Sequence, residues 1–107
     1  AAINGHAFGA GLFLALACDF RIMRTERGYV NFPELNLGIP LQQGYTELVR
    51  SKLAGHGHTL RNAILSGIRY NSTQAVRAGI IDEECPLEEL THKAATLALA
   101  GLAKNLN

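Results

Sequence analysis

One carboxylate and one glycine turn carry the chemistry this sequence can offer. Glu34 follows Pro33 in the run NFPELNLGIP, a stretch with no other charged residue. Upstream, the turn Gly9-Ala10-Gly11 joins an apolar strand to a wholly apolar helix. The start of such a helix aims unpaired backbone N–H groups, here those of Ala10 or Gly11, at whatever lies before it. Those groups can hold a developing oxyanion. A lone carboxylate with Phe32, Leu35, Leu37 and Ile39 around it is suited to take and return a proton. Together the two features equip a site for chemistry at the carbon next to a carbonyl. Each also has a plainer reading. The turn serves equally as a tight strand-to-helix connection. Glu34 serves equally as a solvated loop residue or as a cap for the helix that follows.

Other chemistries have less to stand on. GHAFGAG lacks the spacing and the downstream acid of a dinucleotide fingerprint, and it lacks the lysine of a phosphate loop. His56 and His58 alternate in a glycine-flanked loop, but no third ligand is close in sequence, so no metal site is expected. Ser66, Ser72 and Cys18 have no neighbouring His–Asp pair to activate them. His6 beside the glycine turn either lines a pocket or simply packs. A net charge of +1, with no basic run interleaved with aromatics, gives no reason to expect a nucleic-acid partner. The longest apolar stretch, Ala7 to Cys18, is too short to span a bilayer, so no membrane partner is expected. Cys18 and Cys85 are isolated and form no disulfide framework, which points to a reducing compartment.

The elements that must position these residues alternate between strand and helix early and become helical later, which favours an α/β fold. Ala1–Asn4 reads as the end of a strand, and Gly11–Cys18 as a helix apolar on every face and so buried on all sides. Asp19–Met23 and Tyr29–Phe32 read as strands around the charged turn Arg24–Gly28. Apolar residues at Tyr45, Leu48, Val49 and Leu53 predict a helix over Gln42–Leu53, closed by Gly55. A second helix is predicted over Thr59–Ser66, stopped by Gly67. A third runs over Thr73–Ala78, capped by Asn71 or Ser72 and ended at Gly79. Ile80-Ile81 reads as a short strand or edge. The last helix runs from Pro86 to Lys104, with Glu88 and Glu89 at its positive end. A length of 107 residues suffices for one small domain with a core. The chain opens on Ala-Ala-Ile inside a strand, without a methionine, and is read as part of a longer protein.

Three segments, AAINGHAFGAGLFLALACDFRI, NFPELNLGIP and ILSG…AVRAGIIDE, stand in an order and register that resemble the crotonase superfamily, the enoyl-CoA hydratases and isomerases. CDFRI and PELNLGI are most similar to the Δ3,Δ2-enoyl-CoA isomerases. The resemblance implies a crotonase-like α/β fold, a spiral of ββα units with C-terminal helices. Residues 1–107 would be the C-terminal half of its core, without the N-terminal half and the final helices. It implies an isomerase of fatty acid β-oxidation that moves a double bond by carrying a proton from C2 to C4. Glu34 would be the base and the Ala10 N–H an oxyanion donor. Phe13, Gly9, Gly11, Leu35 and Leu37 would bind the acyl-CoA thioester. Phe13 falls where hydratases of the family carry their first glutamate, and this absence sets the isomerase pattern apart. The alternatives within the resemblance are a hydratase, a dienoyl-CoA isomerase or a non-catalytic relative. No separate cofactor is implied, since coenzyme A is part of the substrate. The full protein would form a homotrimer or hexamer. Its compartment would be peroxisome or mitochondrion in a eukaryote and cytoplasm otherwise.

Overall fold

The computed structural model of the chain describes residues 1–106. Five short strands, β1 (Ala2–Ile3), β2 (Ala7–Phe8), β3 (Ile22–Arg24), β4 (Val30–Asn31) and β5 (Glu83–Cys85), build two small parallel sheets. One has the order β1-β3-β5 and the other pairs β2 with β4. Ala2 lies opposite Ile22, and Phe8 opposite Asn31. Parallel neighbours need a crossover connection. A single helix, α1 (Ala10–Ala17), lies in the connection for both the β1–β3 and the β2–β4 pairs. The helices that follow are α2 (Gln43–Lys52), α3 (Gly57–Arg61), α4 (Ser72–Ala78) and α5 (Leu87–Leu106), and α3 runs on into a wider π-type turn over Asn62–Ser66. The α/β expectation and the early ββα order hold.

Leu12, Leu16, Met23, Val30, Phe32, Val49, Leu53, Ile80 and Ile81 form the main core. A smaller cluster of Ile22, Cys85 and Leu90 seats α5 on the first sheet. α1 is not buried on all sides as its composition predicts. It packs on β2 and α2 through Leu12, Phe13, Ala15 and Leu16, while Leu14 stays 72% exposed. Ile80 and Ile81 are buried but do not form a strand. Their N–H groups turn back to the Ala75 carbonyl at 3.0 and 3.2 Å, closing α4, and the ladder starts at Glu83. α2 ends at Lys52, and Gly55 does not take the left-handed conformation of a closing glycine. Asn71, not Ser72, caps α4: it accepts from the Gln74 N–H at 2.8 Å, and Gln74 answers by accepting from the Asn71 N–H at 3.0 Å.

Arg21 is the main buried charge, and periodicity gives no hint of it. Its Nε donates to the Ile80 carbonyl at 2.7 Å and its Nη1 to the Cys18 carbonyl at 3.0 Å. Asp82 accepts from the Arg21 backbone N–H at 2.7 Å. The start of β3 is thereby fastened to the segment leading into β5.

Candidate active site

The turn between β2 and α1 is shaped by Gly9. Its N–H donates to the Asn31 carbonyl at 3.0 Å, continuing the β2–β4 pairing by one bond. Its φ of 54° with ψ of −117° is a conformation that residues with a Cβ avoid. This bend ends the strand and starts the helix within one residue. Among the described residues no side chain caps α1. The first N–H of α1 to find a backbone acceptor belongs to Phe13, which donates to the Gly9 carbonyl at 3.0 Å. The N–H groups of Ala10, Gly11 and Leu12 have none among the described residues. Ala10 and Gly11 are exposed, so the positive end of α1 opens to the surface.

Glu34 meets this turn. The pairing of Phe8 with Asn31 brings the end of β4 beside Gly9, and Pro33 then stops the ladder. A Cβ on Gly9 would lie 2.8 Å from Glu34 Oε1 and 3.8 Å from Pro33 Cδ, so the carboxylate rests on the bare face of the glycine. Glu34 Oε2 is buried without a hydrogen-bond partner among the described residues. The turn carrying Glu34 is tight: the Glu34 carbonyl accepts from the N–H groups of Leu37 at 3.2 Å and Ile39 at 2.8 Å. A partnerless carboxylate oxygen can take a proton, and the adjoining N–H donors can hold an anion. The two features singled out in the sequence are therefore brought together in space.

The remaining expected residues divide. Gly9 and Gly11 lie in or beside the turn. Phe13 is 3% exposed, stacked on Tyr45 at 4.4 Å and packed on Phe32 at 4.7 Å between ring centroids. It is part of the core and offers no surface to a ligand within this chain. Leu35, Leu37 and Ile39 do not enclose Glu34. They are 46%, 66% and 50% exposed, because the tight turn tucks Glu34 against Gly9 and leaves these side chains outside. His6 Nδ1 accepts from the Tyr29 N–H at 3.0 Å and its ring stacks on Tyr29, while the residue also lines an open groove with Phe8, Gly11 and Leu14. His56 and His58 part company: His56 lies on Gly79, and Arg61 Nη2 donates to His58 Nδ1 at 3.1 Å. Two residues absent from the sequence reading adjoin the site. Asn31 Nδ2 donates to the Gly67 carbonyl and Asn36 Nδ2 to the Ser66 carbonyl, both at 3.3 Å. Asparagine on either side of a Pro-Glu pair is the one signal that marks them beforehand.

Comparison with known proteins bears on family and fold. The enoyl-CoA hydratase/isomerase family model matches residues 1–106. A peroxisomal enoyl-CoA delta isomerase of Arabidopsis thaliana is 40% identical over 82 residues, which cover 77% of this chain and 34% of the relative. An enoyl-CoA hydratase/isomerase family protein from Pseudomonas syringae superposes with a TM-score of 0.79 at 28% identity, covering 96% of this chain and 43% of that one. An enoyl-CoA hydratase of Mycobacterium tuberculosis superposes with a TM-score of 0.75 at 31% identity, covering 92% and 43%. The chain thus spans about a third of the length of the curated relative. The two parallel sheets share the crotonase fold, and the chain belongs to the enoyl-CoA hydratase/isomerase family.

Proposed function

We propose that this chain carries the base and one oxyanion donor of an enoyl-CoA Δ3,Δ2-isomerase acting on 3-enoyl-CoA thioesters in fatty acid β-oxidation. The observation that supports this reading is a single carboxylate, Glu34, resting on Gly9 at the open end of α1. Glu34 takes a proton from C2 of the substrate. The electrons of that bond move toward the thioester carbonyl, whose oxygen becomes an enolate held by the Ala10 N–H. The protonated Glu34 then returns the proton to C4, the double bond settles between C2 and C3, and the oxyanion collapses to the carbonyl. Losing one such donor costs about 10²–10³ in rate. Hydration would require water to be held and activated, and the position that would help do so is filled by the buried ring of Phe13. Gly9 seats the Glu34 carboxylate, the exposed Gly11 leaves the approach to the donors clear, and the outer faces of Leu35 and Leu37 are free to meet the acyl chain. Coenzyme A enters as part of the substrate, without a further cofactor. A trimeric or hexameric assembly and a peroxisomal or mitochondrial location belong to the same reading of the whole protein; the plant relative is peroxisomal by name.

The test is Glu34→Gln in the full-length protein. Turnover of 3-enoyl-CoA to 2-enoyl-CoA should fall by at least about 10³-fold while acyl-CoA affinity changes little. Full turnover in that variant, or 3-hydroxyacyl-CoA as the main product of the unaltered protein, overturns the reading.

A further inference from the structure

The segment that carries Glu34 is held by one corner of the chain, Ser66–Gly67, at the end of the π-type turn. Asn31 Nδ2 reaches the Gly67 carbonyl and Asn36 Nδ2 the Ser66 carbonyl, each at 3.3 Å. Gly67 has φ 60°, and a Cβ there would press on the Asn36 amide and lie 3.3 Å from the Phe32 carbonyl oxygen. The corner therefore packs directly against residues on both sides of Glu34. π-type turns recur at functional sites because they displace a few backbone groups from regular helix geometry.

Asn31 does more than anchor. Its backbone carbonyl accepts from Gly9, the residue on which the Glu34 carboxylate rests. The residue is 6% exposed, and its Oδ1 is buried with no partner among the described residues. A buried acceptor left without a partner is destabilising. Asparagine is also a poor strand residue. An aliphatic residue at this position would avoid both costs, but it would release Gly67. The geometry points to Asn31 as a positioning residue, assisted by Asn36, that fixes Glu34 over Gly9 through the Ser66–Gly67 corner. This inference rests on Glu34 being the base.

Asn31→Leu and Asn36→Leu in the full-length protein test it, with Glu34→Gln measured alongside. A misplacement of about 1 Å at a reacting group can cost about 10²-fold. Asn31→Leu should therefore lower kcat on 3-enoyl-CoA by about 10- to 100-fold with KM within about twofold. Asn36→Leu should lower it by about 3- to 10-fold in the same pattern. A residue with only a structural role would lower the melting temperature and leave kcat per folded molecule alone. Asn36 is exposed, so its variant decides the matter if Asn31→Leu does not fold. Either folded variant with kcat within about twofold of the parent, or with the loss confined to KM, overturns the inference. If Glu34→Gln is inactive while both asparagine variants are active, only this inference fails. If Glu34→Gln is active, the base assignment fails first.

Discussion

At the scale of single residues, the proposed preference for isomerisation over hydration turns on Phe13. Its ring lies between Phe32 and Tyr45 in the core. Installing the missing carboxylate as Phe13→Glu would bury a charge among aromatic rings with no partner nearby. The variant should lose more than about 3 kcal/mol of stability, read as a lower urea midpoint, and should form no 3-hydroxyacyl-CoA. A stable variant that hydrates its substrate would show the position to be open to the site. The main parts of this site were legible from residue types. A glycine turn before an apolar helix can adopt backbone angles closed to other residues, and Glu34 is the one charge in its stretch, so both stood out. The surroundings of Glu34 were misjudged, since three aliphatic neighbours in sequence face solvent. Asn31 stayed hidden because its partner, Gly67, lies 36 residues further on.

At the scale of elements, the turn between β1 and β2 and the turn between β3 and β4 meet through a glycine contact. Gly28 has φ 85°, and a Cβ there would lie 2.6 Å from the Gly5 carbonyl oxygen and 2.8 Å from the His6 nitrogen. The turn after β3 thus sits directly on the turn after β1. Backbone atoms cannot move aside as a side chain can. Gly28→Ala should destabilise the protein by at least about 2 kcal/mol, measurable as a drop in melting temperature, and a neutral effect would contradict the close approach. Helices α2, α4 and α5 were readable from apolar spacing, caps and the Pro86 signal. The π-type turn was not, because its pattern of apolar residues matches an ordinary helix. Ile80-Ile81 misled for a related reason: two β-branched residues suit a strand, but a left-handed Gly79 directs their N–H groups back to α4.

At the scale of the whole molecule, stability should weaken on the alkaline side. Burial pushes the Cys85 thiol up from its ordinary value; Lys93 opposes this, and Glu89 and Glu83 add to it. Burial also raises Tyr70, and the hydrogen bond to Glu83 raises Lys93. For a thiol raised on folding, the unfolded chain loses its proton first, from about pH 8.5. Between that point and the folded value the unfolded state binds fewer protons, so stability falls as pH rises. Urea midpoints should decline from pH 8 to pH 10, and Cys85→Ala should remove the earliest part of the decline. An unchanged curve in that variant would assign the loss to Tyr70 and Lys93. Long-range fastening such as that of Arg21 to Asp82 belongs to this scale and could not be read locally, since the two lie 61 residues apart.

The shared crossover through α1 also sets an order of events during folding. Ala2 meets Ile22 and Ala7 meets Val30, separations of about twenty residues, whereas Ile22 meets Glu83 across a separation about three times as long. Closing a short loop costs less entropy than closing a long one, and non-local pairings are slow to form. The β2–β4 pair, with the turn that presents Ala10 and Glu34, can therefore assemble while the chain is still being synthesised. The far edge of β3 must wait, unpaired, until β5 arrives. That interval is when a nascent chain is most open to a chaperone or to pairing with a stray strand.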